Sequence, residues 1–279
     1  MTVRTVKKTY KGVPTVEGAG VNLIRIFSKP DVKDLDPFLL LDFFDANDPD
    51  DYRPGFPMHP HRGIETITYL IKGRIEHQDS LGNRGVIRPL GCQWMTAGRS
   101  ILHQEMPDPA APILGTQLWL NLPKADKMTA SAYRDITAAD VPVSDTGDVL
   151  VRVLAGSYQN ITGPVKETFV DPLYFDITIR PRGTFSVDTP TDDTVFLFLL
   201  HGELDFHNQD PLSATAVRGL LLSPGNHVSV HSNKGARFLF IAGRPLNEAI
   251  AWGGPIVMNT QEELRLAFDQ LRNGTFIQK

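Results

Sequence analysis

Two stretches of this chain repeat one another. YLIKGRIEHQD (69–79) and FLLHGELDFHN (198–208) align without a gap, placing Gly73 with Gly202 and His77 with Phe206. Further on, RPLG (88–91) matches LSPG (222–225). Each copy reads as a strand, a glycine turn, a second strand, then a proline-containing turn before another strand. A repeat of this kind restricts the chain to two tandem domains of one fold, and the strand patterning makes that fold all-β. The 21 prolines and 23 glycines supply the turns that many short strands require. The expected division gives an N-terminal domain over 1–130 and a C-terminal domain over 131–279.

Strands are expected at 2–10, 21–27, 34–47, 64–71, 74–79, 85–89, 93–97, 100–106 and 115–123. Succession this tight indicates a compact barrel or sandwich. The segment 126–143 has weak periodicity and reads as a link, pinned by Tyr133 and Ile136. Strands follow at 149–156 and 173–181, and 194–207 reads as a strand, a tight turn and a second strand. One helix closes the chain. Thr260 and Glu263 have capping-box spacing, Leu264, Ala267, Phe268 and Leu271 form one apolar face, and Asn273-Gly274 supplies the stop.

The chemistry concentrates in FPMHPHRGIETITYLIKGRIEHQDSLGNRGVIRPLGCQWMTAGRSILHQE (56–105). His59 and His61 are two apart, and so are His103 and Glu105. In an extended strand such residues point to the same face, so each pair can aim two ligands into one cavity. Three imidazoles and one carboxylate suit a borderline divalent metal, iron first, with nickel, manganese, cobalt, copper or zinc also accommodated. Glu65, which alternates with Ile64 and Ile67, competes as a ligand. Any one of these histidines alone reads as structural; the two paired motifs together carry the metal. The second copy of the repeat has neither pair, and its histidines, His201, His207, His227 and His231, read as turn, surface or core-lining residues.

Composition bounds the rest. With a formal net charge of −4 and no basic segment, neither nucleic acid nor an anionic membrane is expected as a direct partner. The polar start MTVRTVKKTYKG and the lack of a long apolar run give no targeting or spanning signal. Cys92 is the sole cysteine and reads as a buried small hydrophobe in a reducing compartment, so a cytoplasmic, monomeric protein is the expectation.

The H-x-H motif with Glu65 four residues beyond His61, and Gly73 past the strand, resembles the first cupin motif; Pro89-x-Gly91 ahead of His103 resembles the second, with a longer gap. More narrowly, LDPFLLLDFF, GFPMHPHRGIETITYLIKG, HQDSLGN, QWMTAGRSILHQEMP, QLWLNLP and GPIVMNTQEEL resemble the pirin family over about residues 20–272. The resemblance implies two tandem cupin (double-stranded β-helix) barrels with a C-terminal helix. It implies one metal in the first barrel on His59, His61, His103 and Glu105, a metal-free second barrel, and a supporting role for Glu65. It also implies a quercetin 2,3-dioxygenase-like activity: a flavonol and O2 as partners, Glu105 as ligand and base, and ring cleavage with release of carbon monoxide. The alternative it carries is a non-catalytic, redox-responsive iron protein that regulates transcription through a protein partner.

Polar partners behind the ligands are sought among Gln93, Gln104, Asn121 and Glu65, and apolar cleft walls among Phe44, Phe56, Met58, Trp94 and Met95. Arg62 and Arg99, near the ligands in sequence, are expected to bond neighbouring loops.

Overall fold

Alternation of buried and exposed side chains, punctuated by glycine and proline, lays almost the whole chain out as antiparallel strands. The computed structural model describes residues 1–166, 168–206, 209–215 and 218–277. They form two β-barrel units of cupin type, with a single long helix at the C-terminal end.

The unit that holds the histidine pairs comprises Val13–Val32, Phe38–Ala138 and Leu246–Lys279. Its larger sheet runs Ala132–Ile136, Cys92–Thr96, Ile64–Lys72, Ile113–Asn121, Phe38–Ala46, Val21–Phe27, Val13–Glu17. Its smaller sheet runs Phe56–His61, Ile101–Pro107, Ile75–Asp79, Arg84–Ile87. Pro57 and Pro60 lack the N–H that a central strand needs, and Phe56–His61 accordingly lies at an edge. Apolar residues pack into separate clusters, one around Phe44, Leu70 and Ile113, another around Leu40, Met95 and Val257. Polar side chains, among them His61, Thr68, His77, His103 and Glu105, are buried in the same barrel. Such groups are tolerated inside only when bonded or coordinated.

The other unit comprises Met1–Gly12, Lys33–Pro37 and Ala139–Pro245. Its main sheet runs Val6–Tyr10, Gly219–Leu222, Thr194–Phe206, Ala236–Gly243, Leu173–Ile179, Val149–Ala155, Val143–Asp145. One continuous apolar core fills it, including Phe175, Phe185, Phe206, Phe238 and Phe240. Phe175 and Phe240 stack at 5.6 Å. Each such ring contributes about 1.5–3 kcal/mol on burial.

Several expectations need adjustment. The units are not the consecutive stretches 1–130 and 131–279. The strand Val6–Tyr10 pairs with Gly219–Leu222, so the first twelve residues belong to the second barrel. The segment read as a link contains the strand Ala132–Ile136, which pairs with Cys92–Thr96 and extends the first barrel's sheet. Its alternation is short and only half-buried, which is why periodicity missed it. Within 34–47 the strand is confined to Phe38–Ala46. Thr194–Phe206 is one strand of 13 residues rather than a hairpin: Gly202, at φ +85°, bends it without ending it. His207 lies outside the described residues.

The helix Gln261–Arg272 forms as its sequence dictates. The Thr260 hydroxyl accepts from the Glu263 N–H at 3.2 Å, and the Glu263 carboxylate accepts from the Thr260 N–H at 2.9 Å. Such a cap stabilises by about 1 kcal/mol. Leu264 and Ala267 bury against Ala251, Ile256 and Met258, so the helix belongs to the first barrel and not to the second. Among the described residues no helix is long and apolar enough to cross a membrane. Cys92 is 1% exposed, and burial pushes its thiol pKa up.

Candidate metal centre

The strands Phe56–His61 and Ile101–Pro107 are hydrogen-bonded neighbours, with His103 opposite His59 and Ile101 opposite His61. Alternation along Ile101–Pro107 turns His103 and Glu105 inward together. The result is a cluster: the ligand atoms of His59, His61 and His103 lie within 4.8 Å of one another. Among the described residues it is the one group of three or more His, Cys, Asp or Glu side chains so placed.

Hydrogen bonding fixes the state of two of these rings. His59 Nδ1 lies 2.9 Å from the Pro57 carbonyl oxygen, and His61 Nδ1 lies 3.0 Å from that of Pro255. A carbonyl only accepts, so each Nδ1 carries the proton and each Nε2 carries a lone pair. Those two Nε2 atoms are 3.1 Å apart. Two facing lone pairs repel unless a cation or a proton lies between them. His103 completes the set: it is 0% exposed and its Nε2 has no partner among the described residues. A buried orphan nitrogen beside two converging lone pairs fits a bound transition metal. Burial lowers the His61 pKa to about 3, helped by repulsion from His59, and holds that of His103 well below the ordinary value. The imidazoles of His61 and His103 are thus kept neutral, the state that ligates.

Glu105 is 2% exposed. Its Oε1 accepts from the Thr68 hydroxyl at 2.7 Å and its Oε2 from Gln117 Nε2 at 2.8 Å. It lies on the same strand and face as His103 but outside the close trio. Two hydrogen bonds leave lone pairs on both oxygens, so the carboxylate is held in place without being used up. Glu65 faces elsewhere, its Oε1 accepting from Thr96 Oγ1 at 2.6 Å, and burial raises its pKa. It supports the sheet.

A cleft of about 720 Å³ opens beside the cluster, lined by Phe56, His59, His61, Gln117, Trp119 and Trp252 among others. Trp119 stands edge-on to His61 at 5.0 Å and 5.9 Å from Trp252. Of the expected walls, Phe56 lines the cleft, Phe44 packs behind it at 6.0 Å, Trp94 and Met95 are fully buried in the barrel, and Met58 is exposed. Trp252 was out of reach of local reading because it arrives from the far end of the chain. At the rim, Arg25 bonds both oxygens of Asp42, at 2.8 and 2.7 Å, and Glu17 at 2.7 Å.

Of the polar partners sought, Gln93 bonds Tyr133 and Asn121 accepts from Lys127. Gln104 turns outward beside Met106. The groups behind the ligands are instead two carbonyls and His77, whose Nε2 is 3.2 Å from His103 Nδ1. Alternation of His77 with Ile75 and Asp79 was the one signal for it. Arg62 bonds neighbouring segments, donating to Arg99 O, Gln270 Oε1 and Phe276 O. In the second barrel His227 pairs with Asp188 and His231 sits between Thr184 and Asn233; among the described residues neither joins a second group of three such side chains.

Comparison with known proteins agrees. The pirin family model matches residues 20–120, and the model of the pirin C-terminal cupin domain matches 174–277. A pirin-like protein of Caulobacter vibrioides is 42% identical over 279 residues, covering 99% of this chain and 100% of its own length. Human pirin is 38% identical over 265 residues, covering 92% and 88%. The crystal structure of a quercetin 2,3-dioxygenase from Acinetobacter baumannii superposes with a TM-score of 0.89 at 32% identity, over 98% of each chain. With both family models matched, and relatives of this identity aligned along nearly its full length, the chain belongs to the pirin family.

Proposed function

We propose that the protein is a metal-dependent dioxygenase that opens flavonols such as quercetin. The observation that carries the reading is the convergence of three imidazoles, those of His61 and His103 buried, beside an aromatic-walled cleft. Its likeness to a quercetin 2,3-dioxygenase supports the choice of chemistry. His59, His61 and His103 hold one divalent ion, Fe(II) in the first instance, with Glu105 as fourth ligand; nickel, manganese, cobalt, copper or zinc suits the same donors. When bound, the ion supplies a Lewis acid that lowers the pKa of a hydroxyl brought to it.

The chain's own residues do the rest. Trp119, Trp252, Leu40 and Phe56 receive the planar rings. Glu105 takes the proton of the flavonol 3-hydroxyl as a general base, held for that task by Thr68 and Gln117. Gln117 also lines the cleft and links the buried carboxylate to the substrate. One O2 is consumed and one CO released for each ring opened to the depside.

Anaerobic loading with Fe(II), followed by quercetin and oxygen, tests this. Loss of the flavonol absorbance with matching CO is expected. Absence of turnover with iron, nickel, cobalt, manganese and copper, in protein that binds them, contradicts the enzyme and favours an iron-sensing regulator acting through a protein partner.

A further inference from the structure

Each of the three converging imidazoles has a partner at the nitrogen turned away from the cluster. For His59 and His61 it is a backbone carbonyl, which dictates the tautomer. For His103 it is another imidazole, His77. An imidazole accepts or donates according to where its own proton sits, so the state of His103 depends on that of His77. Resting on the reading that these histidines hold a metal, we propose that His77 is a positioning residue for the centre. Its Nε2 accepts the Nδ1–H of His103 and keeps the His103 Nε2 lone pair directed at the ion.

The surroundings hold the His77 ring in place. His77 is 3% exposed, and its ring stacks on Tyr133 at 4.7 Å with 18° between the planes. Tyr133 is itself fixed: its hydroxyl donates to Asp135 Oδ1 at 2.5 Å and accepts from Gln93 Nε2 at 3.2 Å. Gly85 lies opposite His77 in the register. A Cβ there would come within 2.2 Å of Asp135 Oδ2 and 2.3 Å of the Tyr133 hydroxyl, so a larger residue would displace the pair that braces the ring. On the other neighbouring strand Glu105 is directly opposite His77. The opposite tautomer, with His77 donating, would place a proton on His103 Nε2 in the position the ion needs.

The internal repeat gives an independent comparison. The position matching His77 in the second barrel is Phe206, buried in an apolar core. Where no ligand ring needs orienting, the acceptor is replaced by hydrocarbon.

Two substitutions separate orientation from packing. His77→Phe keeps a flat ring on Tyr133 but removes the acceptor; His77→Gln restores an acceptor oxygen. With Zn(II) and a competing chelator, His77→Phe is expected to weaken metal binding by about 10- to 100-fold, and His77→Gln to recover most of that loss. Metal-free melting temperatures show whether each variant folds. In the 15N-histidine spectrum of the wild-type zinc form, the remaining proton of His103 is expected on Nδ1. Wild-type affinity in a folded His77→Phe, or a His103 proton on Nε2, overturns the assignment of His77. Should His77→Phe not fold, the 15N–15N coupling across the His103 Nδ1–H···Nε2 His77 bond in the wild-type zinc form decides: it is expected to be present, and its absence overturns the assignment. A wild-type protein that binds no metal overturns the metal-centre reading itself, and this inference with it.

Discussion

The Nδ1–H of His61 donates to the carbonyl oxygen of Pro255, 3.0 Å away and 194 residues further along the chain. This far segment of the sequence therefore orients an imidazole of the first H-x-H motif. The same segment supplies Trp252 to the cleft and pairs Ile256 with Arg62. It also carries the helix that packs on Ile256 and Met258. Arg62 closes the arrangement: buried and, among the described residues, without a carboxylate partner, its guanidinium sits 4.4 Å from the ring of Phe276 and donates to three acceptors.

Arg62→Ala should expose that dependence. It leaves Arg99 O, Gln270 Oε1 and Phe276 O unpaired, at about 1–3 kcal/mol for each acceptor that stays buried. Urea unfolding is expected to show a loss of at least about 3 kcal/mol, and hydrogen exchange to quicken over residues 270–277.

Glu105→Gln separates holding the metal from using it. The new amide group faces the Gln117 donor that the carboxylate formerly accepted. Metal analysis should find the ion retained but weakly held. Flavonol turnover should fall by about 10²- to 10⁴-fold, the usual size of a general-base contribution. Full turnover in this variant would remove Glu105 from the base role.

Asp42→Ala tests the cleft rim. Asp42 is 4% exposed and takes both forks of Arg25, whose pKa the paired acids raise despite burial. Removing one partner of a largely buried pair costs about 3–5 kcal/mol, with Glu17 at 2.7 Å offsetting part of it. A loss of about 2–3 kcal/mol in denaturant midpoints is expected, with histidine-dependent metal binding intact.

The metal-free protein should weaken in mild acid. His61 and His103 titrate near the ordinary value of 6.5 when unfolded and well below it when folded, chiefly because burial disfavours the charged ring. Below pH 6.5 the unfolded chain binds protons that the native chain does not. Stability is thus full above that pH and falls as pH drops below it, down to the folded-state value, about 3 for His61. Each histidine contributes a slope of about 1.4 kcal/mol per pH unit. Urea titrations between pH 7 and 5 measure it, and a variant with both histidines replaced by Gln should lose the slope.

Much of this was legible in the sequence because it depends on local periodicity. The two-residue spacing of His59–His61 and His103–Glu105 survives as a shared inward face. The capping box at Thr260–Glu263 forms as spelled. What local patterning does not encode is which distant strand lies alongside. Val6–Tyr10 alternates like any edge strand, and only its pairing with Gly219–Leu222 assigns it to the second barrel. Ala132–Ile136 is too short to declare itself, yet it brings the ring that braces His77. The Pro255 carbonyl that orients His61 carries no side-chain signal at all.

One ion at the meeting point of three imidazoles is the central claim, and anomalous scattering from crystals grown with Fe(II) under anaerobic conditions tests it most directly. The predicted result is a single strong peak at the iron edge, about 2.0–2.2 Å from the Nε2 atoms of His59, His61 and His103, a normal metal–imidazole distance. A map with no peak there, in protein supplied with the metal, would contradict it.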